Sequence, residues 1–238
     1  MRYRYATYIA LASTLVLASC SKTETAKPYA VEEVPLSQIA ADLAAGKTSS
    51  VAVTQAYIER IKTYNPVLNA VILVAPDALD QAKAADTRRK DGKALGPLDG
   101  IPILIKDNID VAGMVTTGGS YALVDNMPAK DSEVARRLRA AGVVFLGKAN
   151  TSQWAGLRTT KGFSGSTIGG SPKNPFDITR SPAGSSSGSG ISASASLAAA
   201  AVGTDTTGSV IAPSNVNGTV GMRPTVADGK PPLPYLVL

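Results

Sequence analysis

Two short segments of the chain are apolar at every position, and each follows a stretch with the pattern of a helix. They are residues 101–105 and 143–146, and residues 71–74 form a third apolar segment of this kind. A strand with one face in water alternates polar and apolar residues, whereas a strand covered on both faces does not. Covered strands that alternate with helices are typical of α/β folds. The sequence therefore predicts an α/β fold with helices on both faces of a central sheet.

Capping residues indicate where the first helices begin and end. Ser37 is expected to be the N-cap of a helix that Gly46 ends. A second helix is expected to start at Ser49 or Ser50 and to end before Pro66, because proline disfavours a helix interior.

The chain contains no histidine, and its only cysteine is Cys20. A Ser-His-Asp triad, a Cys-His pair and a His-ligated zinc or haem site are therefore excluded. A nucleophilic enzyme with this composition must use Ser or Thr, with Lys or a carboxylate as its base. We expect neither a metal site nor a cofactor.

Basic residues outnumber acidic residues by 24 to 18, a net charge of +6. Lys and Arg form no large cluster, and aromatic residues do not lie between them. A basic surface with interleaved aromatics is the pattern of nucleic-acid binding, so we expect no nucleic-acid partner.

The first twenty residues have the pattern of a secretory signal. Two arginines among the first five residues precede a mostly apolar run at 6–18, which is too short to span a bilayer comfortably. The sequence LASC at 17–20 resembles a bacterial lipobox, so we expect residues 1–19 to be a lipoprotein signal peptide and Cys20 to be lipidated. Residues 20–34 would then be a tether, and the protein would be lipid-anchored in the bacterial cell envelope, on the periplasmic or extracellular face. An ordinary signal peptide with an incidental cysteine is the alternative.

Two segments are dense in Gly, Ser and Thr. They are RSPAGSSSGS at 180–189 and GTDTTGS at 203–209. Composition alone favours flexible loops with sharp turns. Long loops within a compact domain are, however, often functional.

Four blocks of sequence, taken in order, resemble the amidase signature family. The first is GPLDGIP at 96–102 with KDN at 106–108, the second is LGKAN at 146–150, and the other two are the Gly/Ser segments, followed by VGMRPT at 220–225. The resemblance covers about residues 36–225 and is closest to the bacterial peptide amidases. It implies a mixed central sheet covered by helices on both faces, with residues 35–225 as the N-terminal part of that domain.

The resemblance also implies a catalytic group of one lysine and two serines. Matched motif to motif, these residues are Lys106, Ser185, which would follow a cis peptide bond, and the nucleophile Ser209. Burial at the end of an apolar strand is expected to lower the pKa of Lys106 and let it act as a base. Consecutive backbone N–H groups would form the oxyanion hole; they belong to Thr206, Thr207, Gly208 and Ser209.

Three positions depart from the usual family pattern. Ala183 and Ser187 occupy positions that are usually Gly, and so does Thr207. Thr207 would be strained if its backbone required a positive φ, because β-branched residues resist that conformation.

The last residues, 226–238, diverge from the family and contain several prolines, so they resemble the end of a truncated or frameshifted product. We expect no central strand from this tail, one unpaired strand in the sheet and marginal stability. The function implied is an amidohydrolase that cleaves a carboxamide through a Ser-Ser-Lys acyl-enzyme, with a small amide or a peptide C-terminal amide as substrate. The alternative is a truncated, non-catalytic remnant of such an enzyme.

Overall fold

The computed structural model describes residues 28–157, 165–224 and 235–237. Six α-helices and six strands lie in these ranges, together with a short 3₁₀ turn at Tyr121–Leu123 and a turn at Gln153–Gly156 in which Trp154 and Ala155 are left-handed. In chain order they are α1 (Leu36–Ala44), α2 (Ser50–Leu68), β1 (Val71–Val74), α3 (Ala78–Lys90), β2 (Pro102–Lys106), α4 (Glu133–Ala140), β3 (Val144–Ala149), α5 (Ser187–Ser194), β4 (Ala200–Gly203), α6 (Ile211–Val216), β5 (Gly221–Met222) and β6 (Tyr235–Val237).

The strands form one mixed sheet in the order β1-β3-β2-β4-β6-β5. Its centre is parallel, because β2 pairs in parallel with both β3 and β4, while β1, β5 and β6 pair antiparallel. Every residue of β2, β3 and β4 is buried. Successive side chains of a strand point to opposite faces, so burial at every position means that both faces are covered. The predicted α/β fold with a mixed, covered sheet is confirmed.

The first two helices differ in detail from the sequence prediction. Ser37 lies inside α1, whose N-cap is Pro35, so the prediction of a Ser37 cap is wrong. Ser49 caps α2 as expected. Pro66 lies within the last turn of α2 rather than after its end, because the helix continues until Asn69 adopts a left-handed conformation with φ 49°.

The expected tether at 20–34 is too long at its C-terminal end. Residues 28–34 pack against the domain: Val31 is buried, and the Tyr29 hydroxyl donates a hydrogen bond of 2.9 Å to the Asp42 carboxylate. An apolar side chain inside a polar segment can fix it to the core, which composition does not reveal.

The predicted signal peptide at 1–19 and Cys20 lie outside the described residues. Among the helices that the structure does describe, none combines the length and the apolar composition needed to cross a bilayer.

The end of the chain contributes a strand, contrary to expectation. β6 lies between β4 and β5, with Val202 opposite Leu236 and Met222 also opposite Leu236. The expectation that the tail adds no central strand is therefore wrong, and β4 is paired on both sides. The strand begins at Tyr235, directly after the last proline of the tail at Pro234, so every residue within it has an N–H group for pairing. The prolines themselves lie outside the described residues.

Candidate active site

Lys106 is the last residue of β2, and its side chain is fully buried. Its Nζ donates hydrogen bonds to the hydroxyl oxygens of Ser185, at 2.7 Å, and of Thr204, at 2.8 Å. The first bond joins two residues that the sequence predicted as partners. Thr204 directly follows β4, which is paired with β2, so the parallel strands bring both groups to the same end of the sheet.

Burial lowers the pKa of Lys106 to about 7, against the opposing effect of the Asp205 carboxylate, which favours the charged form. The predicted fall of this pKa at a buried strand end is thus confirmed. A lysine with this pKa is substantially neutral at physiological pH, and its lone pair is then available to accept a proton.

Ser185 is held by its backbone as well as by Lys106. The Gly184–Ser185 peptide bond is cis, as the resemblance implied. The carbonyl oxygen of Ser185 accepts hydrogen bonds of 3.0 Å each from the Ser152 N–H and the Thr151 hydroxyl. Thr151 and Ser152 follow the end of β3. The residues at the ends of two adjacent strands therefore hold Ser185, β2 by its hydroxyl and β3 by its carbonyl group.

Ser209 lies beside the same group. Its carbonyl oxygen accepts a 3.1 Å hydrogen bond from the N–H of Ser186, the residue after Ser185. Ser209 is partly exposed, whereas Ser185 and Lys106 are buried. The structure thus brings the three predicted residues to one end of the sheet, with Ser209 on the side that solvent reaches.

Asp205 organises the loop that carries Ser209. Its carboxylate accepts hydrogen bonds from the backbone N–H groups of Gly208 (2.6 Å), Val210 (2.9 Å) and Ile211 (3.2 Å), and it lies 3.6 Å from the Arg223 guanidinium. Burial alone would raise the pKa of Asp205, but these N–H groups and Arg223 hold it below its ordinary value. Asp205 is therefore a charged anchor at neutral pH.

No described cluster of three or more acidic or sulfur-bearing side chains is placed to hold a metal ion.

A family model described as Amidase matches residues 52–228, which is most of the chain and includes all of these residues. The chain belongs to the amidase family. Among curated relatives, a probable amidase of Arabidopsis thaliana is 38% identical over 214 residues, which cover 87% of this chain and 41% of the relative. A glutamyl-tRNA(Gln) amidotransferase subunit of Salinispora tropica is 41% identical over 190 residues, or 79% of this chain and 38% of the relative.

A solved structure of the native peptide amidase of Stenotrophomonas maltophilia is 46% identical and superposes with a TM-score of 0.76. The match covers 79% of this chain and 39% of the peptide amidase. The chain therefore spans about two fifths of the length of the amidase-family proteins that it matches.

The oxyanion hole expected in this amidase-family chain needs one correction. The Gly208 N–H donates to Asp205 and is not available to a substrate oxygen. In the described part of the chain, the N–H groups of Thr206, Thr207 and Ser209 have no such acceptor. Gly208 instead supplies the positive φ of the loop, at +101°. Thr207 is not left-handed, so the condition under which it would be strained is not met.

Among the three departures from the family pattern, Ala183 is the residue with a left-handed conformation. Its φ is +55°, while Ser187 lies in α5 with ordinary helical geometry. An L-residue with a Cβ in this conformation is destabilised by about 1–2 kcal/mol.

Replacing Ala183 with glycine should stabilise the amidase domain by about 1 kcal/mol, since glycine relieves the left-handed strain but loses more chain entropy on folding. Urea denaturation of both proteins measures the change. Replacing Ala193, a residue of α5 with an ordinary conformation, with glycine is the control and should destabilise instead. Equal losses of stability in both variants would contradict the assignment of strain to Ala183.

Sequence reasoning missed the residues that hold the catalytic candidates in place. They are Asn108, Thr151, Ser152, Thr204 and Asp205. Most of them lie in or next to the blocks that carry the family resemblance, which is the signal that could have marked them. Their partners are distant in sequence, so spacing along the chain does not show which groups they hold.

Proposed function

We propose that this chain carries the catalytic group of an amidohydrolase that cleaves a carboxamide C–N bond through a Ser-Ser-Lys acyl-enzyme. The observation that supports the proposal most directly is the contact of 2.7 Å between the Nζ of Lys106, whose pKa is about 7, and the Ser185 hydroxyl. Because the chain spans about two fifths of its relatives, the activity and its substrate are both part of this proposal.

In the acylation step, Ser209 Oγ forms a bond to the carbonyl carbon of the amide. Its proton passes to Ser185 Oγ as the proton of Ser185 passes to the Lys106 amine. The carbonyl oxygen becomes an oxyanion, and the N–H groups of Thr206, Thr207 and Ser209 supply donors for it. The scheme needs Lys106 neutral at the start, which its low pKa provides.

Collapse of the tetrahedral intermediate breaks the C–N bond. Ser185 donates a proton to the departing nitrogen and regains one from Lys106, so the nitrogen of a primary amide leaves as ammonia and the acyl group stays on Ser209. Water then attacks the acyl-Ser209 ester, with its proton following the same route to Lys106. The ester bond breaks, Ser209 recovers its proton, and a carboxylic acid is released.

Peptide C-terminal amides are the substrate class that we favour. The similarity to the peptide amidase supports this choice. Large apolar side chains on the segments next to the site also support it: Trp154, two residues after Ser152, is 42% exposed, and Leu157 and Tyr121 are more exposed still. Such side chains can contact the apolar residues of a peptide. The similarity to the amidotransferase makes glutamine-type amides the second candidate.

The test is labelling of the purified chain with a serine-reactive phosphonofluoridate, followed by mass mapping of the adduct. We expect one adduct on Ser209 and none after Ser209→Ala. Ser181→Ala, a change in the exposed part of the same Gly/Ser region, is the matched control and should keep the adduct. Labelling that is spread over several serines would contradict an activated Ser209.

Ammonia release separates the enzyme from the non-catalytic remnant. An amidated peptide, the same peptide as a free acid and glutamine are compared at equal concentration. Release from the amidated peptide alone supports a peptide amidase. A cooperatively folded chain that neither releases ammonia nor forms the adduct would instead support the remnant.

The lipid anchor stays a proposal based on the sequence at 17–20. We expect Cys20→Ser, made in residues 1–238 and expressed in a bacterium, to move the protein from the membrane fraction to the soluble fraction. The reason is that the acyl chains on Cys20 would supply most of the membrane affinity. Ser21→Ala is the neighbouring control. Retention of the Cys20→Ser protein in salt-washed membranes would argue against lipidation.

A further inference from the structure

A second lysine, Lys148, is also fully buried, and the proposed chemistry does not use it. It lies on β3 in the LGKAN block, opposite Ile105 of β2. The side chains of successive strand residues alternate between faces, so Lys148 and Lys106 leave the sheet on opposite faces. Burial of an ammonium group is unfavourable unless the group is well bonded, so this position calls for a physical explanation.

Lys148 holds the turn that follows Lys106. Its Nζ donates hydrogen bonds of 2.6 Å to the Ile109 carbonyl oxygen and to the Thr116 hydroxyl. The Ile109 N–H in turn donates to the Lys106 carbonyl at 3.0 Å, which closes a turn with Asp107 at its centre. Lys148 thus binds Ile109, the last residue of a turn whose first residue is Lys106, the residue proposed as the base.

The other central residue of that turn reaches back to the site. The side-chain N–H of Asn108 donates a 3.0 Å hydrogen bond to the Thr204 hydroxyl oxygen, which also accepts from Lys106. An unbroken series of contacts therefore runs from Lys148 through the turn to Asn108, then to Thr204 and the amine of Lys106.

The same turn also holds the segment at 116–119, which returns toward it. The Asp107 carboxylate accepts hydrogen bonds from the N–H groups of Thr117, at 3.2 Å, and Gly119, at 3.1 Å, and it also accepts one from the Thr117 hydroxyl. Lys148 and Asp107 therefore hold the loop at neighbouring positions, 116 and 117, so the turn has little freedom to move.

We infer that Lys148 is a positioning residue: by holding the turn at 106–109 it keeps Asn108 against Thr204, and so orients the amine of Lys106 toward Ser185. The inference deepens the proposed function and rests on it, because it takes Lys106 as the base.

Nearby charged groups change the pKa values of both lysines. The experiment must therefore separate the electrostatic effect of Lys148 on Lys106 from its effect on the position of the turn. Burial lowers the pKa of Lys148 to about 8, while Asp107 and Asp110 favour its charged form. Asp205 acts on Lys106 in the same way. Lys148 is thus mostly charged at neutral pH, so its replacement also removes a positive charge.

The experiment measures the pKa of Lys106 by NMR titration of protein labelled with ¹³C and ¹⁵N at the lysine side chains, which does not depend on turnover. Lys148→Met removes both hydrogen bonds of Lys148 and its charge. Thr116→Val keeps the charge and removes the Lys148–Thr116 bond, together with the 3.5 Å bond from the Thr116 hydroxyl to the Ile109 carbonyl. Each is made alone and together with Asn108→Ala. Ile61→Val, a core change on α2, is the control for a general loss of stability.

We expect Thr116→Val to lower the pKa of Lys106 by about half a unit, because the ammonium group loses part of its contact with Thr204. With Asn108→Ala already present, Thr116→Val should have no further effect. Lys148→Met should show the same non-additivity with Asn108→Ala, since the direct effect of the lost charge is equal in both backgrounds and cancels. Ile61→Val should leave the pKa unchanged.

An unchanged Lys106 pKa in folded Thr116→Val protein would overturn the inference, as would shifts that are fully additive with Asn108→Ala. If Lys148→Met does not fold, the Thr116→Val pair alone decides. Failure of the proposed function has a different result, namely a normal pKa for Lys106 in the unchanged chain or no adduct on Ser209.

Discussion

Lys106→Ala should abolish formation of the Ser209 adduct and any amide hydrolysis while leaving the fold intact. Removal of a general base typically lowers the rate by about 10²–10⁴-fold. We expect the upper part of this range, because the chain has no histidine that could replace the lysine. The measurement is the rate of phosphonofluoridate labelling, with circular dichroism to check the fold.

Lys47→Ala is the matched control, since the Lys47 side chain is exposed and forms an ion pair with Asp42. It should label at the rate of the unchanged chain. Labelling of the Lys106→Ala protein at that same rate would remove Lys106 from the mechanism.

The low pKa of Lys106 should make both activity and stability rise with pH, over different pH ranges. Activity should rise as pH increases through about 7, because the base must lose its proton. Below pH 7 the amine is protonated in the folded and unfolded states, so the fold bears the whole unfavourable effect of a buried charge. Between pH 7 and 10.5 only the unfolded state holds the proton, so this effect decreases as pH rises.

Lys106→Met should therefore be inactive but more stable than the unchanged chain at pH 6, and this advantage should shrink by pH 9. Urea denaturation at the two pH values measures it. A stability difference that does not depend on pH would contradict a depressed pKa in the folded protein.

Much of the fold was predictable because the strongest sequence signals arise from burial. The apolar segments at 101–105 and 143–146 became the parallel strands β2 and β3, within one residue or a few at each end. Local capping was less reliable: Ser49 caps a helix while Ser37 does not, since packing of the whole helix outweighs one side-chain hydrogen bond. The strand β6 was missed because pairing with β4 is a long-range contact.

The site also combines features that the sequence predicts with features that depend on long-range contacts. Motifs in the sequence marked Lys106, Ser185 and Ser209 as candidates, but they did not show that Asp205 accepts the hydrogen bond of the Gly208 N–H. That contact depends on where a buried carboxylate lies in three dimensions. The role that we infer for Lys148 likewise follows only from the turn across which it donates.

Gly188→Ala should strongly destabilise the fold. Gly188 is in the first turn of α5, three residues after Ser185, and its N–H donates to the Asn150 carbonyl at 2.9 Å. A Cβ at this position would lie 2.3 Å from both the Ala70 carbonyl oxygen and the Asn150 nitrogen. These two atoms are joined by a 2.8 Å hydrogen bond at the end of β3, so neither can move aside without breaking it.

The helix would have to move away from the sheet instead, and Ser185 would move with it. Overpacking of a core usually costs about 1–3 kcal/mol. We expect more than about 3 kcal/mol here, because the obstacle is backbone and not a flexible side chain. Such a loss is a large fraction of the usual stability of about 5–15 kcal/mol and should lower Tm by about 10 °C or leave the chain unfolded.

Thermal melting of Gly188→Ala beside Ser194→Ala tests this expectation. Ser194 is at the far end of α5 and only partly buried, so alanine there should change Tm little. Any Gly188→Ala protein that does fold should also lose the Ser209 adduct, because the displaced helix separates Ser185 from Lys106. A Gly188→Ala protein that melts like the unchanged chain and still labels would show that α5 is not held against the end of β3 as the structure places it.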